Sequence, residues 1–342
     1  MSDFFPAKNY PGIFATHQWV DAWEKAWSDN ENIIRLRPHE NVNDCRDGFY
    51  THQHFTPFGL KFTTLFSSGV STPASPSLRS EYFNLNDRAI EPFIDAAASY
   101  KWDQLYIPDL ISSSLEYLEI CRRAQAKQFK VVIRDESISY AVSLREANFE
   151  HYLQGRSGNT RAKLFNKRKS LLKAGEIRIT NLWPNVEVFI ETLNTFHLSR
   201  WCKPCYEGRN LKQIIYFLNE IARAGGVPDL SVIYCDNQPI SAVLDVEYRG
   251  RIYNIQSGYR EDFLRGVSLG TLHLGFQLEK AFMSGCDFYD FMAGKGKSSD
   301  YKKSLATHSE LLISIMLVRS SLLKGLYAIK DVINRVNDKN NH

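Results

Sequence analysis

The residues able to hold an anion and act on it lie between Asp229 and Lys303. The run Arg265-Gly266-Val267-Ser268-Leu269-Gly270-Thr271 leads into an apolar pattern of helical period (Leu272, Phe276, Ala281, Phe282) that Gly285 closes. The first amides of a helix have no partner within it and form its positive end. A basic, glycine-containing turn at that place can therefore hold a phosphate-bearing ligand. A strand over 288–292 follows at once and carries Asp290, with Tyr301 and Lys302 shortly after it. Upstream, apolar runs at 230–235, 240–248 and 251–257 are split by Asp236-Asn237-Gln238-Pro239 and by Arg249-Gly250. Those breaks are turn chemistry and predict an antiparallel meander.

Tyr289-Asp290-Phe291 followed by Gly294 and Tyr301-Lys302, and preceded by Leu269-Gly270-Thr271, resembles the acetyltransferase domain of the CelD/BioF2-like group. That group lies within the GNAT superfamily and is related to the FemAB-type peptidyltransferases. The resemblance extends upstream to about Trp102, through the basic segment 159–175 and Phe196-His197-Leu198-Ser199-Arg200-Trp201, so it covers well over half of the chain. The chain departs from the group at Lys295-Gly296-Lys297-Ser298-Ser299-Asp300, a longer basic loop where the group has a short acidic connection. The resemblance implies an α/β (α+β) fold, with a GNAT-like mixed, largely antiparallel sheet flanked by helices, in two tandem GNAT-like halves. The expected limits are 1–150 for a degenerate first half, 151–337 for an acyltransferase half and 338–342 for a frayed tail.

Transfer of an acyl group from a thioester to an amine needs a held pantetheine and diphosphate, a deprotonated amine, and charge stabilisation at the carbonyl oxygen. The resemblance gives the diphosphate of acetyl-CoA or another acyl-CoA to Arg265 and the amides of Gly266, Ser268, Leu269, Gly270 and Thr271, with glycine allowing close backbone approach. It makes Asp290 the base, given a raised pKa, and Tyr301 the proton donor to the departing thiolate. His197 joins the catalytic pocket, and Arg200, Trp201 and Lys302 face the acceptor, an amine of a small molecule, amino sugar or peptide. No metal is implied. Plainer roles stay open: Ser268 as a simple helix cap, Asp290 as a buried carboxylate fixing the next loop, His197 as a helix-end histidine. Two other functions also stay open. One is FemAB-like transfer from charged tRNA, motivated by the basic segment and by Lys295 and Lys297; the other is a catalytically silent binding module in a polysaccharide or envelope assembly system.

Bulk properties narrow the class. A chain of 342 residues predicts two domains, and a net charge of +4 is too mild to imply nucleic acid on its own. The N-terminus has no signal-peptide pattern, and the longest apolar run, 311–318, is far short of the ~20 residues of a membrane helix, so a cytoplasmic protein with no transmembrane segment is expected. Six cysteines, mostly inside apolar runs, read as reduced thiols. Cys202-Lys203-Pro204-Cys205 ends a helix instead of opening one, which argues against a redox motif, and only His197 stands ready as a third zinc ligand. Gly294-Lys295-Gly296-Lys297-Ser298 ends like a P-loop, but Phe291 occupies the place of its first glycine.

The elements that must position these residues follow from periodicity. Trp19, Trp23 and Trp27 share one stripe of a helix over 17–27 and read as core. Strands are predicted at 33–36 and 62–66, and a long loop at 70–80. Alternating helices and strands at 89–99, 102–107, 113–127 and 130–134 make a compact α/β unit. Residues 159–175 read as one helix with Arg161, Lys163, Lys167, Arg168, Lys169 and Lys173 beside an apolar side. Helices at 186–201 and 211–224, a closing strand at 310–318 and a helix at 322–336 complete the pattern.

Overall fold

The turns of the meander are two-residue loops. Asp236 and Asn237 take φ of 48° and 64°, and Arg249 and Gly250 take 50° and 76°. This is the left-handed pair that a type I′ turn requires, and it matches the twist of the strands it joins. The turns close the antiparallel pairs Cys235↔Gln238 and Tyr248↔Arg251. The structure, a computed structural model, describes residues 12–30, 34–36, 49–55, 59–72, 76, 78–79, 81–82, 90–145, 148–294 and 297–340.

In chain order the elements are α1 His17–Trp27, β1 Ile34–Leu36, β2 Phe49–Phe55, β3 Lys61–Ser67, α2 Ile90–Ser99, β4 Gln104–Ile111, α3 Leu115–Ala126 and β5 Lys130–Ser143. Then come α4 Phe149–Gln154, α5 Gly158–Arg161, α6 Arg168–Leu172, β6 Ile177–Asn181, α7 Val186–Trp201, α8 Gly208–Arg223, β7 Val227–Cys235, β8 Gln238–Tyr248, β9 Arg251–Tyr259, α9 Leu269–Ala281, β10 Phe288–Gly294, α10 Lys297–Leu305, β11 His308–Val318 and α11 Ser321–Asn340. Two compact units result, one of Pro6–Ser137 with Leu311–His342, the other of Met1–Phe5 with Ile138–Glu310. The fold is mixed α/β, with largely antiparallel sheet and flanking helices.

In the first unit the strand order is β1-β2-β3-β4-β11, antiparallel except for β3 and β4. Trp19, Trp23 and Trp27 are buried, and Trp23 stacks on Tyr50 at 5.0 Å, so the tryptophan stripe is core. In the second unit the order is β5-β10-β9-β8-β7-β6, and only β9 and β10 run parallel.

Three expectations are corrected. The segment 159–175 is not one helix: a π turn over Ala162–Asn166 separates α5 from α6, with the Lys167 amide bonded to the Ala162 carbonyl at 3.1 Å. The turn presses its backbone onto α9 at Gly275, where a Cβ would overlap the Leu164 carbonyl oxygen. Gly275→Ala is therefore expected to cost about 1–3 kcal/mol by overpacking, read as a lower urea midpoint. Residues 297–300, expected as loop, form the first turn of α10, and the tail expected to fray is helical to Asn340. Cys45, Lys295, Gly296 and residues 341–342 lie outside the described residues. Among the described residues no helix is long and apolar enough to cross a membrane.

Candidate active site

β9 and β10 pair at only three positions, Phe288↔Arg251, Tyr289↔Ile252 and Asp290↔Tyr253, and then part. Both strands are irregular where they separate. β9 carries an extra residue, Ile255, between Asn254 (opposite Asp245) and Gln256 (opposite Leu244). β10 slips register on β5 between Asp290 and Ala293, and Met292 takes φ 62°. Bulges bend a strand out of its ladder. The result is a fork whose limbs are β9 beyond Tyr253 and β10 beyond Asp290, with Ile255, Gln256 and Ser257 only half-buried.

Asp290 is closed off from this fork. Its side chain is fully buried, with one oxygen 2.8 Å from Arg251 Nη1 and the other accepting the Met292 amide at 2.8 Å. Solvent does not reach it, and its bond to Met292 holds the backbone in the left-handed conformation that makes the bulge. Lys302, expected to bind an anionic acceptor, is buried against the same bulge and donates to the carbonyls of Met292 and Ala293 at 3.1 and 3.0 Å. Asp290 and Lys302 thus clamp the bend of β10 from two sides.

A buried polar network lies where the strands meet. Asp245 accepts from Asn254 at 2.7 Å, from Tyr289 Oη at 2.8 Å and from Gln277 at 3.0 Å, tying β8, β9, β10 and α9 together. Burial pushes its carboxyl up to about 7, against the pull of those donors. His273 spans Ser231 and Ser241 at 2.9 Å each, and burial drives it down to about 3. The signs are opposite. The raised Asp245 holds its proton in the folded state after the unfolded chain has lost it, so its contribution to stability falls as pH rises from about 4 to about 7. The depressed His273 contributes stability above its ordinary value of 6.5 that is lost as pH falls toward 3. Relative to Asp245→Asn, the native protein is expected to lose stability between pH 4 and 7, checked by chemical denaturation across that range.

The N-terminus of α9 opens onto a surface cavity of about 430 Å³ lined by Lys163, Glu261, Asp262, Arg265, Gly266 and Ser268, among others. Gly266 takes φ 77° with open space around it, as a turn glycine does. Ser268 does not cap the helix with its side chain; its hydroxyl meets that of Thr271 at 3.1 Å, leaving the first-turn amides without a side-chain cap. Gly270 has a different reason from the one expected: a Cβ there would meet the Tyr259 ring at 2.6 Å, so it is packing that excludes a side chain. Leu269 and Gly270 are buried, whereas Arg265 and Gly266 are exposed.

Tyr259 gathers the remaining candidates. Its hydroxyl accepts from Arg200 at 3.1 Å, and Arg200 also pairs with Glu261 at 3.0 Å and lies over the exposed Trp201 ring at 4.8 Å. Tyr301 is pushed up to about 12, by burial first and then by the nearby Tyr259, with Arg200 opposing. It therefore keeps its proton at neutral pH. His197 sits on α7, which packs tightly on β9 at Gly258, and its Nε2 is 3.1 Å from the Ser257 carbonyl. Burial lowers its pKa, aided by Arg200, although the Ser257 carbonyl opposes the shift. With Nε2 donating to that carbonyl, the neutral ring turns an Nδ1 lone pair elsewhere.

Tyr259, Arg251 and Asp245 were not singled out from sequence. Nothing in the surrounding residues marks their partners, because β9 mixes apolar positions with Asn254, Gln256 and Ser257. The cysteine pair also resolves. Cys202 ends α7 with φ 54°, the amides of Cys205 and Tyr206 bond to Asn194 Oδ1, and burial pushes the Cys205 thiol up to about 12, away from thiolate chemistry. Of the six basic residues in 159–175, Arg161 bonds to the Arg156 carbonyl and Arg168 to Glu279, while the four lysines are exposed.

This parting of two parallel strands beside the start of a helix lies within a segment that known families describe. Residues 158–303 match the acetyltransferase (GNAT) domain family. The match supports a transferase of acyl groups and spans α5 to α10, including both limbs of the fork. Among solved structures the chain is similar to FemX, at 11% identity and TM-score 0.55 over 93% of this chain and 98% of that one. It is also similar to the C-terminal domain of a putative lysylphosphatidylglycerol synthetase from Agrobacterium fabrum, at 7% identity and TM-score 0.51, over 92% and 95%. The fold likeness thus reaches well outside the GNAT segment. No curated protein matches the sequence.

Proposed function

We propose that the chain is an acyl-CoA-dependent N-acyltransferase of the CelD/BioF2-like group, acting on an amine of a small molecule, amino sugar or peptide. The observation that carries this reading is the fork between β9 and β10. A pantetheine arm carries amides, and the backbone of a strand released from its neighbour can pair with them as with another strand. The start of α9, with Arg265 and Lys163 at the adjoining cavity, suits the diphosphate. The thioester supplies an activated acyl group.

In this reading His197 takes the proton of the acceptor amine at Nδ1 as the new C–N bond forms. Tyr301 donates its proton to the departing thiolate as the C–S bond breaks, and Arg200 favours the phenolate left behind. Arg200 and Trp201 line the acceptor side, while Asp290 and Lys302 act by shaping β10. The two units fit tandem GNAT-like halves. Among the described residues each has one parallel pair, and in each the strand entering that pair from the C-terminal side bends at a non-glycine residue of positive φ, Asp109 in β4 and Met292 in β10.

Thermal shift tests the proposal, because a ligand that binds only the folded state raises the melting temperature. Acetyl-CoA, longer acyl-CoAs or free CoA are expected to stabilise the protein. Arg265→Ala, at an exposed position, is expected to weaken that binding about tenfold without changing the stability of the free protein. Four exposed lysines at 163, 167, 169 and 173 favour a second reading, transfer from aminoacyl-tRNA. Stabilisation by charged tRNA alone would select it, and indifference to every donor would leave a binding module.

A further inference from the structure

α11 is strongly one-sided, but it spends little of its apolar surface on the fold. Leu323 is buried with Met316 and Val318, and Tyr327 packs against that cluster, as do Phe62, Tyr106 and Val132. By contrast Leu322, Leu326, Ile329, Val332 and Ile333 are 53, 41, 59, 60 and 52% exposed. Helical spacing puts these five on one stripe, and Gly325, on the same side, has open space where a Cβ would stand. The contrast with α1 is direct, since α1 buries its own stripe of three tryptophans. A contiguous row of large exposed apolar side chains on a helix marks a surface that meets something else.

We propose that this stripe docks α11 flat onto an anionic lipid bilayer, its apolar side chains entering the headgroup boundary. Charge selects this occupant. The helix sequence carries Lys330, Arg335 and Lys339 against Asp331 and Asp338, while Lys324 is spent on the fold, donating to the Gln128 carbonyl at 2.6 Å. Lys330 falls at the border of the stripe by helical spacing, where an ammonium can reach lipid phosphates while its stem lies along the apolar face. Low mean hydropathy, one apolar face and basic flanks are the properties of a helix that lies in the interface, and no helix among the described residues is suited to span the bilayer. A second copy of the chain is the rival occupant. The spacing of Leu322, Leu326, Ile329 and Ile333 suits a helical seam, but the exposed seam is shorter than the three to four heptads that sustain a coiled coil, and copies would face each other with like charge at Lys330.

The test uses the full chain and sedimentation with vesicles of phosphatidylcholine alone or mixed equally with phosphatidylglycerol. The protein is expected to pellet with the anionic vesicles and to be released as salt rises. Lys330→Glu should weaken binding about fivefold or more. Ile329→Glu, at a side chain already in solvent, should abolish binding while leaving the thermal unfolding curve in place. Absence of binding, or equal binding to the neutral vesicles, would overturn the proposal. So would a lipid-free dimer in sedimentation velocity that Ile329→Glu dissolves, because the stripe would then belong to a second copy.

Discussion

Asp290→Asn is expected to lower stability and acyl-CoA affinity together. The carboxylate is fully buried beside Arg251, itself only 5% exposed in its side chain. Removing one charge of a buried pair leaves the other desolvated, at a cost of about 3–5 kcal/mol. The variant also weakens the acceptor that holds the Met292 amide, so the bulge of β10 loses one of its two clamps and the limb can relax toward β9. Lys302→Met, which releases the carbonyls of Met292 and Ala293, should give the same joint loss from the other side. A general base behaves differently. Its removal lowers kcat while the melting temperature and the KM for acyl-CoA stay in place. Denaturant midpoints measured beside KM and kcat for both variants separate the two roles, and an Asp290→Asn protein with native stability and a large fall in kcat would return Asp290 to the chemistry.

The roles of Asp290 and Lys302 show where sequence reading reaches its limit. Asp290 was found because it sits in a short strand near a glycine and a Tyr-Lys pair, but the residue that decides its role, Arg251, lies across a parallel pairing 39 residues away in sequence. No local pattern encodes that partnership. Features fixed by neighbouring residues were legible. The breaks at Asp236-Asn237 and Arg249-Gly250 marked both hairpins, because a two-residue turn needs left-handed backbone at two consecutive positions, which Asp, Asn and Gly tolerate. The apolar period placed α7 over 186–201 with the limits it has in the structure. What failed locally failed for identifiable reasons. β2 hides in Phe-Tyr-Thr-His-Gln-His-Phe, whose outer half is mostly polar and alternates between half-buried and exposed. The break between α5 and α6 is invisible because a π turn changes the helical period by too little to disturb a short apolar pattern. Gly270 looked like a phosphate-approach glycine, and only the position of the Tyr259 ring, brought up by β9, shows what it accommodates.

Tyr301→Phe is expected to reduce kcat by about 10²–10⁴-fold, the range that a positioned proton donor contributes, with little change in the affinity for acyl-CoA. The phenol lies against the core formed by Leu305, Tyr289 and their neighbours, so phenylalanine keeps the ring packing and the fold. Its pKa, pushed up to about 12, leaves the group protonated across the neutral range, and Arg200 lies close enough to stabilise the phenolate. An acid of that kind does not titrate near neutrality. The lower limb of the pH–rate profile should instead report His197, whose imidazole must be neutral to accept a proton and whose pKa lies below its ordinary 6.5 because of burial and Arg200. Rate should therefore fall as pH drops below that point in the native enzyme, and Tyr301→Phe should keep this acid limb while lowering the plateau. Replacing His197 with glutamine should remove the limb itself. A Tyr301→Phe enzyme with native kcat would exclude the phenol as proton donor, and the thiolate would then depart without help from this residue.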